Sequence, residues 1–296
     1  MTTPASSSNA SFRLPQDTRL GPVCLQIADL ERSLAYYTEV LGFRVLAREG
    51  ADVTLGTQTT DDALLRLHEA PGAAAHPRRG QLGLFHFAIL LPTRGDLARF
   101  VIHLDALGVP AGASDHLVSE AIYLTDPDGL GIEVYADRPR STWRRVNGEL
   151  AMATEPLDFN ALVADAGDTR WQGMPAGTVI GHMHLHVGDL REAEQFFAEG
   201  LGFDVVVRGY PGALFLSAGG YHHHLGTNTW AGPRAAAPAS ADARLVEWTI
   251  VVPTANDVAA VGRQLQSAGV DTQSQGAVVT ARDPWGTQFQ VVAAAR

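Results

Sequence analysis

Residues 27–45 read IADLERSLAYYTEVLGFRV, and residues 187–205 read VGDLREAEQFFAEGLGFDV. The two stretches share Asp-Leu near the start and Leu-Gly-Phe near the end, at a constant offset of 160 positions. An internal repeat of this kind decides the architecture, because each copy must fold into the same unit. It also separates two kinds of residue. A side chain that the fold needs should occur in both copies, whereas one that serves chemistry need occur in only one.

Composition and charge exclude several classes of protein. The chain has 296 residues, of which 46% are hydrophobic, so it is long enough for two domains with full cores. Its net charge of −10 argues against nucleic acid and anionic membranes as partners, since both bind through clustered Lys and Arg. The sequence has neither a run of about 20 apolar residues nor the features of a signal peptide at its start. Because it also has a single cysteine, Cys24, we predict a cytoplasmic protein.

Each half of the chain contains two cycles of strand, helix and further short strands. Asp29 is a favourable N-cap for the first helix, and Gly42 is suited to its C-terminal end. We therefore predict an α+β protein with four βαβββ modules that form two cup-shaped, eight-stranded sheets. The predicted boundaries are a disordered tail over 1–15, a first pair of modules over 16–137, a linker with a short helix over 138–177, and a second pair of modules over 178–296.

The first strand of each half separates residues that serve the fold from residues that are free to differ. Side chains alternate between the two faces of a strand. One face is apolar in both copies, with Val23, Leu25 and Ile27 in the first and Met183, Leu185 and Val187 in the second. The other face differs, with Pro22, Cys24 and Gln26 in the first and His182, His184 and His186 in the second. We expect a ligand on the face that differs.

Several strings place the chain near a known superfamily. They are LFHFAILLP at 84–92, DHLVSEAIYLTDPDGLGIEVYADRPRSTW at 115–143, GHMHLHV at 181–187 and GGYHHHLGTNTWAG at 219–232. With the repeated modules, they resemble the vicinal oxygen chelate superfamily of glyoxalases, bleomycin-resistance proteins and extradiol dioxygenases. Within it they are most similar to Bacillus-type two-domain catechol 2,3-dioxygenases. The resemblance implies that paired modules form a cup with a metal on its inner wall.

The resemblance also implies a ligand set. In the superfamily the first ligand lies seven residues before the helix-capping Asp, which is His182 in the second half and Pro22 in the first. Aligning the two halves gives the other positions, where His86 corresponds to Glu247 and Glu133 to Gln290. The complete set is His182, His86 and Glu133. Since these residues come from both halves, we predict that the second module pairs with the third, as happens between subunits of dimeric fosfomycin-resistance enzymes.

Further candidates follow from the extradiol pattern. His222 aligns with the acid–base histidine, and His116 and Tyr123 match the His and Tyr that precede the last ligand, so these three are the predicted catalytic residues. On the alternation of a strand, His222 and His224 share a face, and His223 points away. His184 and His186 face the cup. Together with His224 they are predicted to surround the metal ligands without binding the metal.

The predicted function is a metal-dependent extradiol ring cleavage of a catechol-type substrate with O2. Two imidazoles and one carboxylate favour Fe(II), Mn(II) fits the same ligands, and Zn(II) is also compatible. The alternatives are another metal-dependent enzyme of this fold, such as a glyoxalase or a fosfomycin-resistance-like transferase, and a small-molecule-binding protein without catalysis. The expected partners are a small aromatic substrate and O2, and a homo-oligomer is left open.

Overall fold

The computed structural model describes residues 12–77 and 79–295. The first half contains two modules, each with one strand, one helix and three more strands. The elements of the first are β1 (Arg19–Ile27), α1 (Leu30–Ala35), β2 (Arg44–Glu49), β3 (Asp52–Gly56) and β4 (Ala63–Glu69). Those of the second are β5 (Gly83–Leu90), α2 (Arg94–Leu107), β6 (Gly112–Asp115), β7 (Ser119–Thr125) and β8 (Gly131–Asp137).

The second half repeats this plan after a connecting segment. The segment contains β9 (Arg145–Val146), β10 (Glu149–Leu150) and α3 (Phe159–Val163). The third module consists of β11 (Val179–His186), α4 (Leu190–Glu194), β12 (Asp204–Val207), β13 (Ala213–Ser217) and β14 (Leu225–Asn228). The fourth consists of β15 (Arg244–Val252), α5 (Ala255–Ser267), β16 (Thr272–Gln275), β17 (Val278–Arg282) and β18 (Gln288–Ala293).

The modules pair across the two halves of the chain. One eight-stranded sheet has the order β16-β17-β18-β15-β1-β4-β3-β2, and the other has the order β12-β13-β14-β11-β5-β8-β7-β6. The first sheet therefore combines the first and fourth modules, and the second combines the second and third. At its centre β11 runs antiparallel to β5. The predicted α+β fold with two eight-stranded sheets is confirmed, and the cross-half pairing is the one that the ligand positions required.

The repeated helix has the same construction in both halves. The Asp29 side chain accepts a hydrogen bond from the backbone of Arg32, and Asp189 accepts from the backbone of Arg191 and of Glu192. Each helix then continues in wider turns, over Tyr36–Val40 and Gln195–Gly200. Gly42 (φ +82°) and Gly202 (φ +100°) follow, in a backbone conformation that favours glycine. The shared residues of the repeat therefore serve the fold.

The core lies on the apolar face of the central strands. The alternating apolar residues of β1 and their counterparts at the start of the third module are all buried. Part of the tail predicted to be disordered also packs here, because Leu14 is buried and its N–H donates to the carbonyl of Gly202. Residues 1–11 of that tail lie outside the described residues. In the described part of the chain, no helix is both long and apolar enough to cross a membrane.

Candidate metal centre

The second sheet encloses a cavity of about 230 Å³ on its concave face. Its walls are mainly aromatic, and its floor is formed by side chains of three adjacent strands. On the middle strand β5, Ala88 is the register partner of both His182 on β11 and Glu133 on β8. His86 lies two residues before Ala88 and therefore on the same face. The fold thus brings together the three predicted ligands on one face of the sheet.

The donor atoms of the three side chains form a compact triangle. Glu133 Oε2 lies 3.0 Å from His86 Nε2 and 3.2 Å from His182 Nε2, and the two imidazole nitrogens are 3.3 Å apart. With metal–ligand bonds of about 2.1 Å, donors are about 3.0 Å apart at right angles and about 3.4 Å apart in a tetrahedron. The observed separations fall in this interval, so the three groups fit one divalent metal ion. They are the one such cluster among the described residues.

The protonation states of His182 and Glu133 also suit a metal. All three side chains are buried. Burial lowers the pKa of His182 to about 4, so its imidazole is neutral near pH 7. Burial opposes the ionisation of Glu133, but the adjacent His182 and His86 outweigh it and hold the pKa of the carboxyl well below its usual range. Neutral imidazoles and an ionised carboxylate are the forms in which these side chains bind metals.

His116 and Tyr123 form a hydrogen-bonded pair beside this triangle. His116 Nδ1 lies 2.7 Å from the backbone carbonyl of Ala153, which can only accept, so Nδ1 carries a proton. In a neutral imidazole the other nitrogen is then an acceptor, and the Tyr123 hydroxyl donates to it over 2.5 Å. Burial, followed by the charge of Glu133, raises the pKa of Tyr123 well above its usual value. Both side chains line the cavity.

The segment 222–224 differs from the sequence-based expectation. His223, and not His222, lines the cavity, and its ring centroid is 4.1 Å from that of His182. His222 is fully buried behind it, with Nε2 2.8 Å from Asp137 Oδ1. The expected alternation does not apply because β13 ends at Ser217 and β14 begins at Leu225, so these histidines lie in the loop between them. The structure therefore places His223, and not His222, beside the predicted ligands, and the catalytic role of His222 stays a prediction.

The three remaining candidate histidines have different surroundings. His184 forms part of the cavity wall. His186 is buried on the same strand, and its Nδ1 is hydrogen-bonded to Asn228 Oδ1 at 2.7 Å. His224 is buried away from the cavity, where its Nδ1 accepts from the backbone N–H of Ala218. Of the three, His184 is the one positioned to contact a bound molecule.

Several cavity residues escaped the sequence-based prediction. Met152 and Thr154 come from the connecting segment, which we interpreted as a linker. The Thr154 hydroxyl is 2.6 Å from the hydroxyl of Tyr210, which also lines the cavity. The sequence did mark this segment as unusual, because it is the longest part of the chain without a counterpart in the repeat. It did not show which residues reach the cavity.

Comparison with known proteins agrees with this fold. The family model described as Glyoxalase/Bleomycin resistance protein/Dioxygenase superfamily matches residues 19–134 and 179–291. The chain belongs to this superfamily. It is 44% identical to the catechol-2,3-dioxygenase of Bacillus subtilis (strain 168) over 272 residues, which are 91% of this chain and 95% of that protein.

Solved structures share the superfamily fold at lower identity. The structure of a candidate dioxygenase from Bacillus subtilis matches with a TM-score of 0.65 at 13% identity. The match covers 95% of this chain and 86% of the other chain. Glyoxalase I from Zea mays has a TM-score of 0.55 at 16% identity, with 94% and 92% covered. These structures support the architecture alone.

The other eight-stranded sheet, formed by the first and fourth modules, has no complete set of metal ligands at the equivalent positions. Pro22 has no side-chain donor for a metal. Glu247 accepts a hydrogen bond from Gln288 Nε2 at 2.7 Å, and Gln290 Nε2 donates to Thr249 Oγ1 at 3.0 Å. These polar side chains satisfy one another within the sheet, which gives the equivalent positions of this sheet a structural role.

Proposed function

We propose that this protein is an extradiol ring-cleaving dioxygenase that acts on a catechol with O2. The main support is the buried His86–Glu133–His182 triangle, whose donor atoms are 3.0 to 3.3 Å apart at the floor of an aromatic cavity. The relative at 44% identity is named for the same reaction type and is matched over nearly its whole length. In the proposed reaction the ring C–C bond beside the two hydroxyls breaks, and both atoms of one O2 enter the product.

The three side chains would hold a divalent metal, for which we propose Fe(II). Two imidazoles and one carboxylate leave several coordination positions open, which is the arrangement of non-haem Fe(II) oxygenases. When bound, the metal would supply a centre at which the two catechol oxygens and O2 are brought together. Mn(II) fits the same donors, and Zn(II) is compatible with them. The remaining steps depend on the residues around the triangle.

His223 is the residue that we propose for proton transfer. Its imidazole lies on the cavity wall next to His182, within reach of a hydroxyl group bound at the triangle. Tyr123 would position the substrate on the opposite side. Because its own proton points to His116, the oxygen of Tyr123 is able to accept a hydrogen bond from a catechol hydroxyl.

The walls of the cavity favour this reaction over the alternatives. Among the described residues that line it, none is Lys or Arg. Apart from the proposed metal, a phosphonate or a carboxylate-rich thiol would find no cationic side chain among these residues to offset the cost of burying its charge. A flat, uncharged ring suits walls made of Phe85, Phe215 and Trp230. A glyoxalase-like or transferase-like reaction is therefore less well supported.

Two measurements on one preparation test the proposal. Protein purified without oxygen should contain one divalent metal per chain by elemental analysis. On addition of catechol it should consume O2 in a one-to-one ratio and form the yellow ring-opened product. Bound metal without O2 consumption would rule out the proposed reaction, whereas O2 consumption with release of peroxide would identify a different oxidase. The cytoplasmic location and the oligomeric state stay predictions from the sequence.

A further inference from the structure

One polar atom in the cavity wall has no partner. His184 is buried, and its Nε2 finds no hydrogen-bonding group among the described residues. Buried polar atoms in native structures are almost always hydrogen-bonded, so an unpaired one needs an explanation. Because His184 lines the cavity, a bound molecule can supply the missing partner.

The neighbours of His184 place its ring in the cavity wall and leave its Nε2 without a hydrogen bond from the described residues. Its ring lies edge-on to Phe85, with centroids 5.0 Å apart and an interplanar angle of 84°, and its centroid is 5.4 Å from that of Trp230. Below it, Gly226 provides the space, because a Cβ at that position would lie 3.0 Å from both Cγ and Cδ2 of the imidazole. The imidazole of His86 also lies edge-on to it, with centroids 5.0 Å apart, so aromatic rings and a glycine surround His184 without pairing its Nε2.

His186 shows that the vacant hydrogen bond is a local property of His184. The two residues lie on β11 two positions apart and therefore on the same face. His186 has a partner in Asn228 and does not line the cavity. The same residue type on the same strand is thus satisfied where it faces the protein and unsatisfied where it faces the cavity.

We propose that His184 determines substrate specificity by hydrogen-bonding an uncharged polar substituent on the catechol ring. This inference rests on the proposed function, since it assumes that the ring binds above the triangle. The cavity volume of about 230 Å³ lies below the roughly 300–1,000 Å³ of pockets for drug-sized ligands, which favours a single ring with a small substituent. The absence of Lys and Arg among the described lining residues disfavours a charged one. Hydroxymethyl and hydroxyl groups meet these conditions.

Matched ligands and matched variants test the assignment. Catechols that carry either hydroxymethyl or ethyl, at ring position 3 or 4, are titrated into the metal-loaded protein without oxygen, and the ratio of their dissociation constants is measured by calorimetry. The hydroxymethyl and ethyl groups are nearly equal in size and differ in hydrogen bonding. At one of the two ring positions the wild type should prefer hydroxymethyl by about tenfold, as expected for one net hydrogen bond.

The variants assign the preference to a side chain. His184→Phe keeps the size of the ring and should abolish the preference, whereas His184→Gln keeps a hydrogen-bonding group and should retain most of it. His186→Phe is the control on the same face and should leave the ratio unchanged. A wild-type ratio of one at both ring positions, or an unchanged ratio in His184→Phe, would overturn the proposal.

Binding and ring cleavage separate this inference from the proposed function. If the wild type binds the hydroxymethyl compound preferentially but cleaves no catechol, the dioxygenase assignment fails and the role of His184 stands. If it cleaves catechol but shows no preference, the role of His184 fails alone. If it binds no catechol of either type, both proposals fail.

Discussion

His222 Nδ1 and His223 Nδ1 lie 2.7 Å apart. This contact links the cavity to the partly exposed Asp137, because His222 Nε2 donates to the carboxylate of Asp137. When His222 is neutral, it donates through Nε2 and must accept through Nδ1, so His223 donates through its own Nδ1. The lone pair of His223 is therefore on Nε2. Asp137 and His222 thus fix the tautomer of the imidazole that borders the metal ligands.

This relationship predicts different consequences for two adjacent histidines. His223→Ala should lower kcat for ring cleavage by about 10²–10⁴-fold while the protein still binds its metal, since a positioned acid–base group is lost. His222→Ala should have a smaller effect on kcat, because it removes only the support of His223. The measurements are steady-state kinetics and metal content for each variant. A His222→Ala defect as large as that of His223→Ala, with metal retained, would restore His222 as the proton-transfer group.

Asp137→Asn tests the tautomer directly. The amide of Asn can donate to His222 Nε2, which allows His222 to donate from Nδ1 and places the proton of His223 on Nε2. We expect kcat to fall by at least about tenfold with KM nearly unchanged, since binding does not require the lone pair. The pH dependence of kcat should shift as well. A change confined to KM would show that Asp137 acts on substrate binding and not through His223.

The ligand assignment predicts which side chains the protein needs in order to hold the metal. Glu133→Ala and His182→Ala should reduce the metal content from about one per chain to near zero, because each removes a direct ligand. Gln290→Ala, at the position equivalent to Glu133 in the other sheet, should leave the metal content unchanged. Elemental analysis after dialysis checks all three variants. Full metal occupancy in Glu133→Ala would contradict the assignment.

The sheet formed by the first and fourth modules should not gain a metal site from a single substitution. In Pro22→His, the new imidazole would face Glu247 and Gln290, whose side chains are already paired with Gln288 and Thr249. A lone histidine added to these groups does not recreate the two-histidine, one-carboxylate set. The metal content should therefore stay at about one per chain. A second tightly bound equivalent in Pro22→His would disprove this interpretation.

Acid should destabilise the protein through its buried histidines. Burial lowers the pKa of His224 to about 3, whereas an unfolded histidine titrates near about 6.5. Below pH 6.5 the unfolded chain binds a proton that the folded chain does not, so the free energy of unfolding falls as the pH falls. The contribution is about 1.4 kcal/mol per pH unit for each such residue. Urea denaturation of metal-free His224→Phe between pH 6.5 and 5 should show a slope smaller by this amount, and an unchanged slope would contradict the shift.

The fold could be predicted from the repeat and from alternation. Asp29 and Asp189 cap equivalent helices, and the apolar faces of the equivalent strands form the core, because both are local consequences of residue type and strand geometry. The resemblance to the superfamily gave the ligand positions, and comparing the two copies at those positions selected His182, His86 and Glu133, since the other copy lacks them. Their separation along the chain then indicated that the second and third modules share a sheet.

Tertiary structure alone decided what surrounds these three residues. Gly219 (φ +61°) and Gly220 (φ +69°) end the strand alternation, so the orientation of His223 is set by packing against His182 and not by a local period. In the same way, the carbonyl of Ala153 fixes the tautomer of His116 although 37 positions separate them. The sequence by itself determined the repeated elements and the candidate ligands, because both leave a periodic or duplicated pattern. The hydrogen bonds that orient the cavity side chains form between segments far apart along the chain. No local sequence pattern encodes such contacts.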